Sequence, residues 1–350
     1  MQRLSSMGIL LGIFVFGIAC HSQGQEGQKG PKANLELEGF DGGFFSIEKP
    51  KGWNVVTAGN CATLAFLIRD PVQPLRQIFY FGEIGPVYMV EQQKQIDYQY
   101  MAMGGYPVTW FEMPVVNPLT PSNFLRQFHQ IAQTQSARNF MPQCPRLENI
   151  DIISAVPQQS PIGGGSTELV RALFAEGGDL GEGLFLITVA PGVPFTGSPS
   201  GGIGYAFLFT GITAPRREFR DIEKQLAKSI ESFTISQAYV NDCLRQQAST
   251  YEGILKAGRT LSETSDIIMQ GWESRNRTDD IIAEKRSDAI LGRERVYDPE
   301  TKEVYEFENG FYDRYRLDAN RYEMSNLQPL PENNHELWMK APLDGPRHLK

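Results

Sequence analysis

Apolar and polar residues recur along the chain with two periods, and each period predicts a different element. Short apolar runs bounded by Gly and Pro are typical of strands. Such runs lie at 44–47, 61–68, 76–81, 168–175, 184–189 and 203–212. The connections at 176–183 and 191–202 are rich in Gly, Pro and Ser, so the last three strands are expected to be antiparallel neighbours.

Helical spacing appears in three segments of the same region, at 89–103, 123–138 and 216–233. The clearest apolar stripe repeats every three or four residues opposite a charged face: Phe219, Ile222, Leu226, Ile230 and Phe233. Ser122 is expected to cap the second of these helices, because a Ser hydroxyl accepts a hydrogen bond from a first-turn amide.

The last third of the chain has a different pattern. Residues 236–291 favour helix, and Gly292 ends that stretch. Residues 295–305 predict a hairpin, and a second hairpin is expected from 311–317 paired with 321–324. The pattern as a whole predicts an α+β protein, in which an antiparallel sheet flanked by helices precedes a long helical segment and a small antiparallel β-meander.

Two short segments carry a resemblance to a known fold. The strand running into "SIEKPKGW" at 46–53 and the closing helix "FRDIEKQLAKSIESFTI" at 219–235 resemble the PsbP-like family. This resemblance implies a central antiparallel sheet flanked by helices over 43–236. Relatives in that family serve as photosystem accessory subunits, binding adaptors and lipoproteins, so the resemblance specifies no activity. The stretch 287–315 resembles a C-terminal module that recurs in uncharacterised exported bacterial proteins.

The N-terminus predicts export. Arg3 precedes a twelve-residue apolar run at 8–19, which is too short to span a bilayer and is typical of a signal peptide. The run stops at Cys20, and this junction resembles the bacterial lipobox, although Gly17 stands where that motif usually has an aliphatic residue. The resemblance implies cleavage before Cys20 and lipidation of its thiol. An ordinary signal peptide cleaved near Ala19 is the alternative.

Composition and charge limit the kinds of partner that the protein is expected to bind. The formal charge of −8 becomes −9 once Arg3 is removed with the leader, so nucleic acid is not expected as a partner. The divisions we expect are a signal peptide at 1–19, a lipidated tether at 20–42, a PsbP-like domain at 43–236, a helix plus β-meander module at 237–328 and a loose tail at 329–350. Trp338 is the one side chain of that tail with a tendency to dock.

Three cysteines follow Cys20, and an exported protein can oxidise them. Cys61 and Cys144 both fall in the first predicted domain, so we expect a disulfide between them and a reduced, buried Cys243. The spacing of Cys and His does not match a zinc site, and neither a metal nor a cofactor is expected.

The sequence predicts no catalytic residue. Gly163–Thr167 lacks the Lys of a phosphate-binding loop, and His129, on a helix, is interpreted as a packing or surface residue. Tyr and Arg are enriched at protein interfaces, so the C-terminal sheet is the candidate binding surface. Its residues are Arg295, Tyr297, Tyr305, Tyr312, Arg314, Tyr315, Arg316 and Arg321. Cross-strand packing of these aromatic residues is the alternative.

The function expected from these features is a membrane-tethered, non-catalytic binding or assembly lipoprotein of the bacterial cell envelope. Its partners would be the membrane, through the lipid on Cys20, and an envelope protein. The alternatives are an envelope hydrolase whose site is assembled from scattered loop residues, and a binder of a small hydrophobic ligand. A deep apolar pocket with converging ionisable groups would favour a hydrolase, and an exposed aromatic patch would favour binding.

Overall fold

The computed structural model describes residues 35–140, 143–192, 202–246, 277–322, 324 and 326–345. Residues Lys32–Lys350 belong to one compact unit. Cys20 and the predicted leader lie outside the described residues, as does 247–276, which covers the middle of the predicted helical stretch. None of the helices among the described residues has both the length and the apolar character needed to cross a bilayer.

A seven-stranded antiparallel sheet forms the centre of the unit. Its strands are β3 (Asn54–Ala58), β4 (Ala65–Arg69), β5 (Gln77–Tyr88), β6 (Glu148–Gln158), β7 (Ser166–Glu176), β8 (Asp179–Pro191) and β9 (Ile203–Pro215). They are arranged in the order β3-β4-β5-β9-β8-β7-β6, and the last three predicted strands are antiparallel neighbours as expected. A smaller sheet joins β1 (Leu37–Asp41), β2 (Phe45–Pro50) and β10 (Thr234–Ile235).

Helices cover both faces of the large sheet, which confirms the predicted fold class. In chain order they are α1 (Glu91–Ala102), α2 (Pro121–Gln133), α3 (Gln135–Phe140), α4 (Arg216–Glu231) and α5 (Gln237–Gln246). The predicted stripe of α4 is buried on one face, where Phe219 and Leu226 are fully enclosed. On the opposite face α2 buries Phe124 and Phe128 against Phe209 of β9.

The two ends of the large sheet are defined by its register. Gln77 of β5 pairs with Thr213 at the end that we call the lower end, and Tyr88 pairs with Ile203 at the upper end. The chain enters the described body at the lower end. Glu36 is hydrogen-bonded through its carbonyl to Lys51, in the turn that leads from β2 into β3, and β3 begins beside the start of β5.

Three details of this region differ from the prediction. β1 lies inside the segment expected to be tether, and the edge strand β6 was not predicted. The cap of α2 is Thr120, whose Oγ1 accepts from the Asn123 amide at 3.2 Å. Ser122 instead donates from its amide and its hydroxyl to the carboxylate of Glu168.

The predicted disulfide between Cys61 and Cys144 is wrong. Cys61 is bonded to Cys243, with their Cα atoms 5.4 Å apart, and Cys144 takes no part in the bond. The reason is that α5 packs back against the first domain, beside Phe44 and Cys61, instead of leading away from it. Tyr239 of α5 stacks on Phe44, and its hydroxyl accepts the Cys61 amide at 2.6 Å.

The C-terminal part contains α6 (Arg277–Ile290), the strands β11 (Arg293–Tyr297) and β12 (Val304–Glu308), and the helix α7 (Phe311–Leu317). The first predicted hairpin is confirmed by the antiparallel pairing of β11 with β12. The second is wrong, because its first half is α7 and its second begins with the 3₁₀ turn Ala319–Arg321.

The expected loose tail is ordered as far as it is described, and it turns the predicted meander into a mixed sheet. It consists of β13 (Gln328–Pro329), α8 (His335–Trp338) and β14 (Leu343–Asp344). The sheet order is β13-β11-β12-β14, with β14 parallel to β12. Trp338 is buried, as expected for a docking side chain, and its indole donates to the Pro331 carbonyl at 2.9 Å.

Candidate functional site

The predicted Arg/Tyr surface is divided between the interior and the solvent. Arg314, Arg316 and Arg321 are exposed, and Tyr312 is half-buried. The other four are enclosed: the side chains of Arg295, Tyr297, Tyr305 and Tyr315. These four therefore cannot form the binding surface expected from the sequence.

The enclosure has a simple cause, which is that the β11–β12 hairpin is covered on both faces. α7 packs Phe311 and Tyr315 onto one face beside Tyr305. Trp338 and α6 cover the other face, where Tyr297 is buried. The hydroxyl of Tyr315 accepts the Leu327 amide at 3.1 Å, so its polar group is satisfied inside the protein. Tyr297, Tyr305 and Tyr315 pack inside the protein, but not as the cross-strand aromatic pairs expected from the sequence: Tyr297 and Tyr305 lie opposite valines, and Tyr315 is on α7.

Arg295 belongs to a buried ionic network that sequence reasoning missed. The carboxylate of Glu182, which is 0% exposed, forms ion pairs with Arg171 Nε at 2.6 Å and with Arg216 Nη1 at 2.7 Å. Arg216 also forms an ion pair with one oxygen of Glu284 at 2.7 Å, and the other oxygen of Glu284 pairs with Arg295 at 2.7 Å. The network therefore links β7, β8 and α4 of the large-sheet region to α6 and β11 of the C-terminal part.

Two further acids end the network. Asp280 of α6 lies 2.9 Å from Arg171 and 3.0 Å from His335 Nε2, and Asp288 lies 2.9 Å from Arg295. Burial raises the pKa of Asp288 to about 6 against the opposing effect of Arg295. Burial alone would lower the pKa of Arg171, but the charges of Glu182 and Asp280 outweigh it and raise that pKa. A charged residue inside an apolar run, as Arg171 is within residues 169–175, was the available sequence signal.

A cleft of about 800 Å³ opens beside this network at the lower end of the sheet. Its walls are the first turns of α4, the second half of α6, strands β11 and β12, and residues 339–344. The arginines that line it are Arg216, Arg217, Arg220, Arg293 and Arg295. Three carboxylates of the lining, Glu284, Asp288 and Glu306, are paired with arginines of this set.

A second candidate surface lies at the upper end of the sheet, on α1. No residue of this helix is buried. Ile96, Tyr100 and Met103 recur at the i, i+4, i+7 spacing that puts them on one side of a helix, and Tyr106 follows with its amide against the Tyr100 hydroxyl. Their exposed fractions are 48%, 46%, 81% and 85% in chain order. We call these four residues the α1 face.

Two of the three charged residues of α1 contact the body, and the third, Glu91, is the exposed first residue of the helix. Lys94 donates to the Met113 carbonyl at 2.9 Å, and Asp97 accepts the Tyr88 hydroxyl at 2.7 Å. Both contacts attach the opposite side of the helix to the body. The outward row of α1 is therefore free of charge, with Gln92 and Gln99 beside the apolar residues.

The other residues considered as candidates from the sequence do not form a functional site in the described part of the structure. His129 is hydrogen-bonded to Gln133 on the same helix, and Gly163–Thr167 forms a turn into β7. Within the described ranges, His, Cys, Asp and Glu do not gather in a group of three or more that could hold a metal ion. Burial raises the pKa of Glu83 on β5 to about 7. No protein-family model matches the chain, and no curated protein does either.

Proposed function

We propose that this protein is a membrane-tethered, non-catalytic binding or assembly protein of the bacterial cell envelope, and that it binds a protein partner through the α1 face. The observation that carries the proposal is the charge-free, exposed row of apolar and aromatic side chains on a helix without buried residues. A row of this kind has the composition of the centre of a protein interface, which is enriched in Tyr and Met and depleted of charge.

The size of the α1 face supports this proposal. A large side chain offers 150–250 Å² when fully exposed, so the four residues at their exposed fractions present roughly 400–650 Å². That is about the area of the largest apolar patch on an ordinary monomer, and such patches are often functional. It also approaches the roughly 800 Å² that one partner contributes to a stable interface.

The position of the α1 face supports it as well. The chain enters the described body at the lower end of the sheet, beside Glu36 and Lys51, whereas α1 follows β5 at the upper end. A lipid on Cys20 would be joined to the described body through the residues that precede Leu35. The α1 face would then be presented at the end away from the attachment point.

Two carboxylates of the cleft, Glu284 and Glu306, are held in ion pairs, which favours a structural role over acid–base chemistry for these two groups. An acid–base site needs one carboxylate that is available to take up a proton from a substrate or water. Here Glu284 lies 2.7 Å from two different guanidiniums, and Glu306 lies 2.6 Å from Arg293. These carboxylates are occupied as structural partners.

The binding half of the proposal is tested by affinity recovery from envelope extract with the full-length, membrane-inserted protein. The variant Tyr100→Glu/Met103→Glu places two charges on the α1 face and should reduce recovery of the partner at least tenfold. Val72→Glu is the matched control, because Val72 is 87% exposed but lies in the turn between β4 and β5 at the lower end. Equal recovery by both variants would rule out the α1 face as the binding surface.

The anchoring half needs a separate measurement. Cells fed an alkyne-tagged fatty acid should label the wild-type protein and not Cys20→Ser, and the variant should leave the membrane fraction. Labelling that persists in Cys20→Ser would contradict lipidation at this residue. Because the α1 face is untouched by this substitution, the two halves of the proposal fail independently.

A further inference from the structure

The cleft at the lower end contains two arginines that are less well paired than the rest. The ion pairs of Arg216, Arg293 and Arg295 have separations of 2.6–2.9 Å. Arg217 Nη2 lies 3.6 Å from Glu306, and Arg220 Nη2 lies 3.6 Å from Glu284. At 3.6 Å neither contact is a hydrogen bond.

The acids near these two arginines are already engaged. Glu284 is shared by Arg216 and Arg295 at 2.7 Å each, and Glu306 is held by Arg293 at 2.6 Å. Arg220 Nε and Nη2 are shielded from solvent and make no hydrogen bond within the described residues, and the same holds for Arg216 Nε and Nη2 and for Arg295 Nε. Among these three arginines, Arg220 is the one whose ion pair is as long as 3.6 Å. A shielded N–H group without an acceptor costs free energy, and an entering oxyanion would supply the acceptor.

The two arginines leave α4 on the same side of the helix. Arg217 and Arg220 are three residues apart on α4, so their side chains leave the same side of the helix with Cβ atoms about 5–6 Å apart. A single carboxylate or phosphate has two or three oxygens in a plane or a pyramid that two such guanidiniums can share.

The rest of the lining limits what else the ligand contains. Apolar residues from four separate segments of the chain share the cleft: Leu75, Leu180, Leu291, Met339, Ala341 and Pro342. Glu218 of the lining is paired with Arg76 at 2.6 Å. Asp179, Asp221 and Asp344 are exposed acids of the same lining, and they disfavour a ligand with several negative charges.

We propose that this cleft binds an organic anion, with one oxyanion headgroup between Arg217 and Arg220 and an apolar body against the leucines of the wall. The volume of about 800 Å³ is within the range of small-molecule sites. The site is separate from the α1 face, which is at the other end of the sheet, and it does not depend on the function proposed above.

Calorimetric titration of the compact unit, Lys32–Lys350, tests this proposal with four probes: octanoate, octyl phosphate, octanol and inorganic phosphate. We expect at least one of the two octyl anions to bind, and to bind at least about tenfold more tightly than octanol, because a charge-assisted hydrogen bond contributes that much. Which of the two binds more tightly distinguishes a carboxylate ligand from a phosphate ligand. Inorganic phosphate should bind at least tenfold more weakly than the better octyl anion, because it lacks the apolar body.

Three substitutions assign the binding to the cleft. Arg217→Gln and Arg220→Gln should each weaken binding of the octyl anion about tenfold, and Arg217, being 75% exposed, can be replaced without disturbing the fold. Arg314→Gln makes the same charge change at an exposed arginine of α7 and should have no effect. The proposal is overturned if neither octyl anion binds, if octanol or inorganic phosphate binds as tightly, or if Arg217→Gln and Arg314→Gln behave alike.

Discussion

Replacing Glu182 by Gln is the sharpest test of the buried ionic network. The substitution keeps the shape of the side chain and removes the one charge that lies between Arg171 and Arg216, at 2.6 and 2.7 Å. Removing one partner of a buried ion pair costs about 3–5 kcal/mol, because a charge remains in the interior without its partner. Each arginine keeps one further acid here, Asp280 or Glu284, so we expect the lower value of about 3 kcal/mol.

Urea denaturation of the compact unit measures this cost. With a slope of about 3 kcal/mol per molar urea, a loss of about 3 kcal/mol lowers the midpoint by about 1 M. Glu36→Gln is the matched control, because Glu36 and Lys51 form an ion pair in which both side chains are more than half exposed. Such a pair contributes under about 1 kcal/mol, which is under about 0.3 M in the midpoint. A midpoint for Glu182→Gln within that same interval would refute the reasoning.

Two other predictions concern stability. Cys243→Ser should lower the free energy of unfolding by about 2–5 kcal/mol, because the disulfide closes a long loop. It should also abolish the effect of a reducing agent on the melting temperature, whereas Cys144→Ser should leave that effect intact. Equal sensitivity to the reducing agent in the two variants would contradict the observed pairing. The pKa of Asp288 in the folded protein is about 6, above its ordinary value of 3.8. As the pH falls from 7 to 5, the folded state therefore takes up a proton before the unfolded state does. The wild type should gain stability relative to Asp288→Asn over this pH range. Urea midpoints at both pH values measure this, and a pH-independent difference would show that Asp288 does not titrate there.

Local periodicity was sufficient to predict the elements whose apolar side chains pack into the core. α4 buries its stripe against the sheet, and a 3.6-residue period is what such burial requires. β6 was missed because an edge strand keeps most of its side chains at least partly in solvent, which leaves a weak alternation. α7 was taken for a strand because "FYDRYRL" fits both periods, and only the packing of Phe311 with Tyr315, four residues apart, selects the helix.

Long-range partners could not be inferred from the sequence. Cys61 and Cys243 are 182 residues apart, and Arg171 reaches Asp280 over 109 residues. Nothing in the local pattern around either end specifies the other. The α1 face illustrates the same limit, because the sequence predicted a helix there but a mixed pattern does not show which side remains uncovered. Exposure is a property of the completed fold.

The Cys61–Cys243 bond also determines how the protein would respond to mechanical load. A pull on the two chain ends would pass along the backbone to Cys61, cross to Cys243 through the sulfur atoms and continue from there, bypassing the 181 residues between them. Strands β4 to β9 lie within that bypassed stretch and would carry none of the tension. At about 3.5 Å per extended residue, on the order of 60 nm of chain is thus withheld from stretching. The strands inside this loop would keep their pairing while the segments outside it yield.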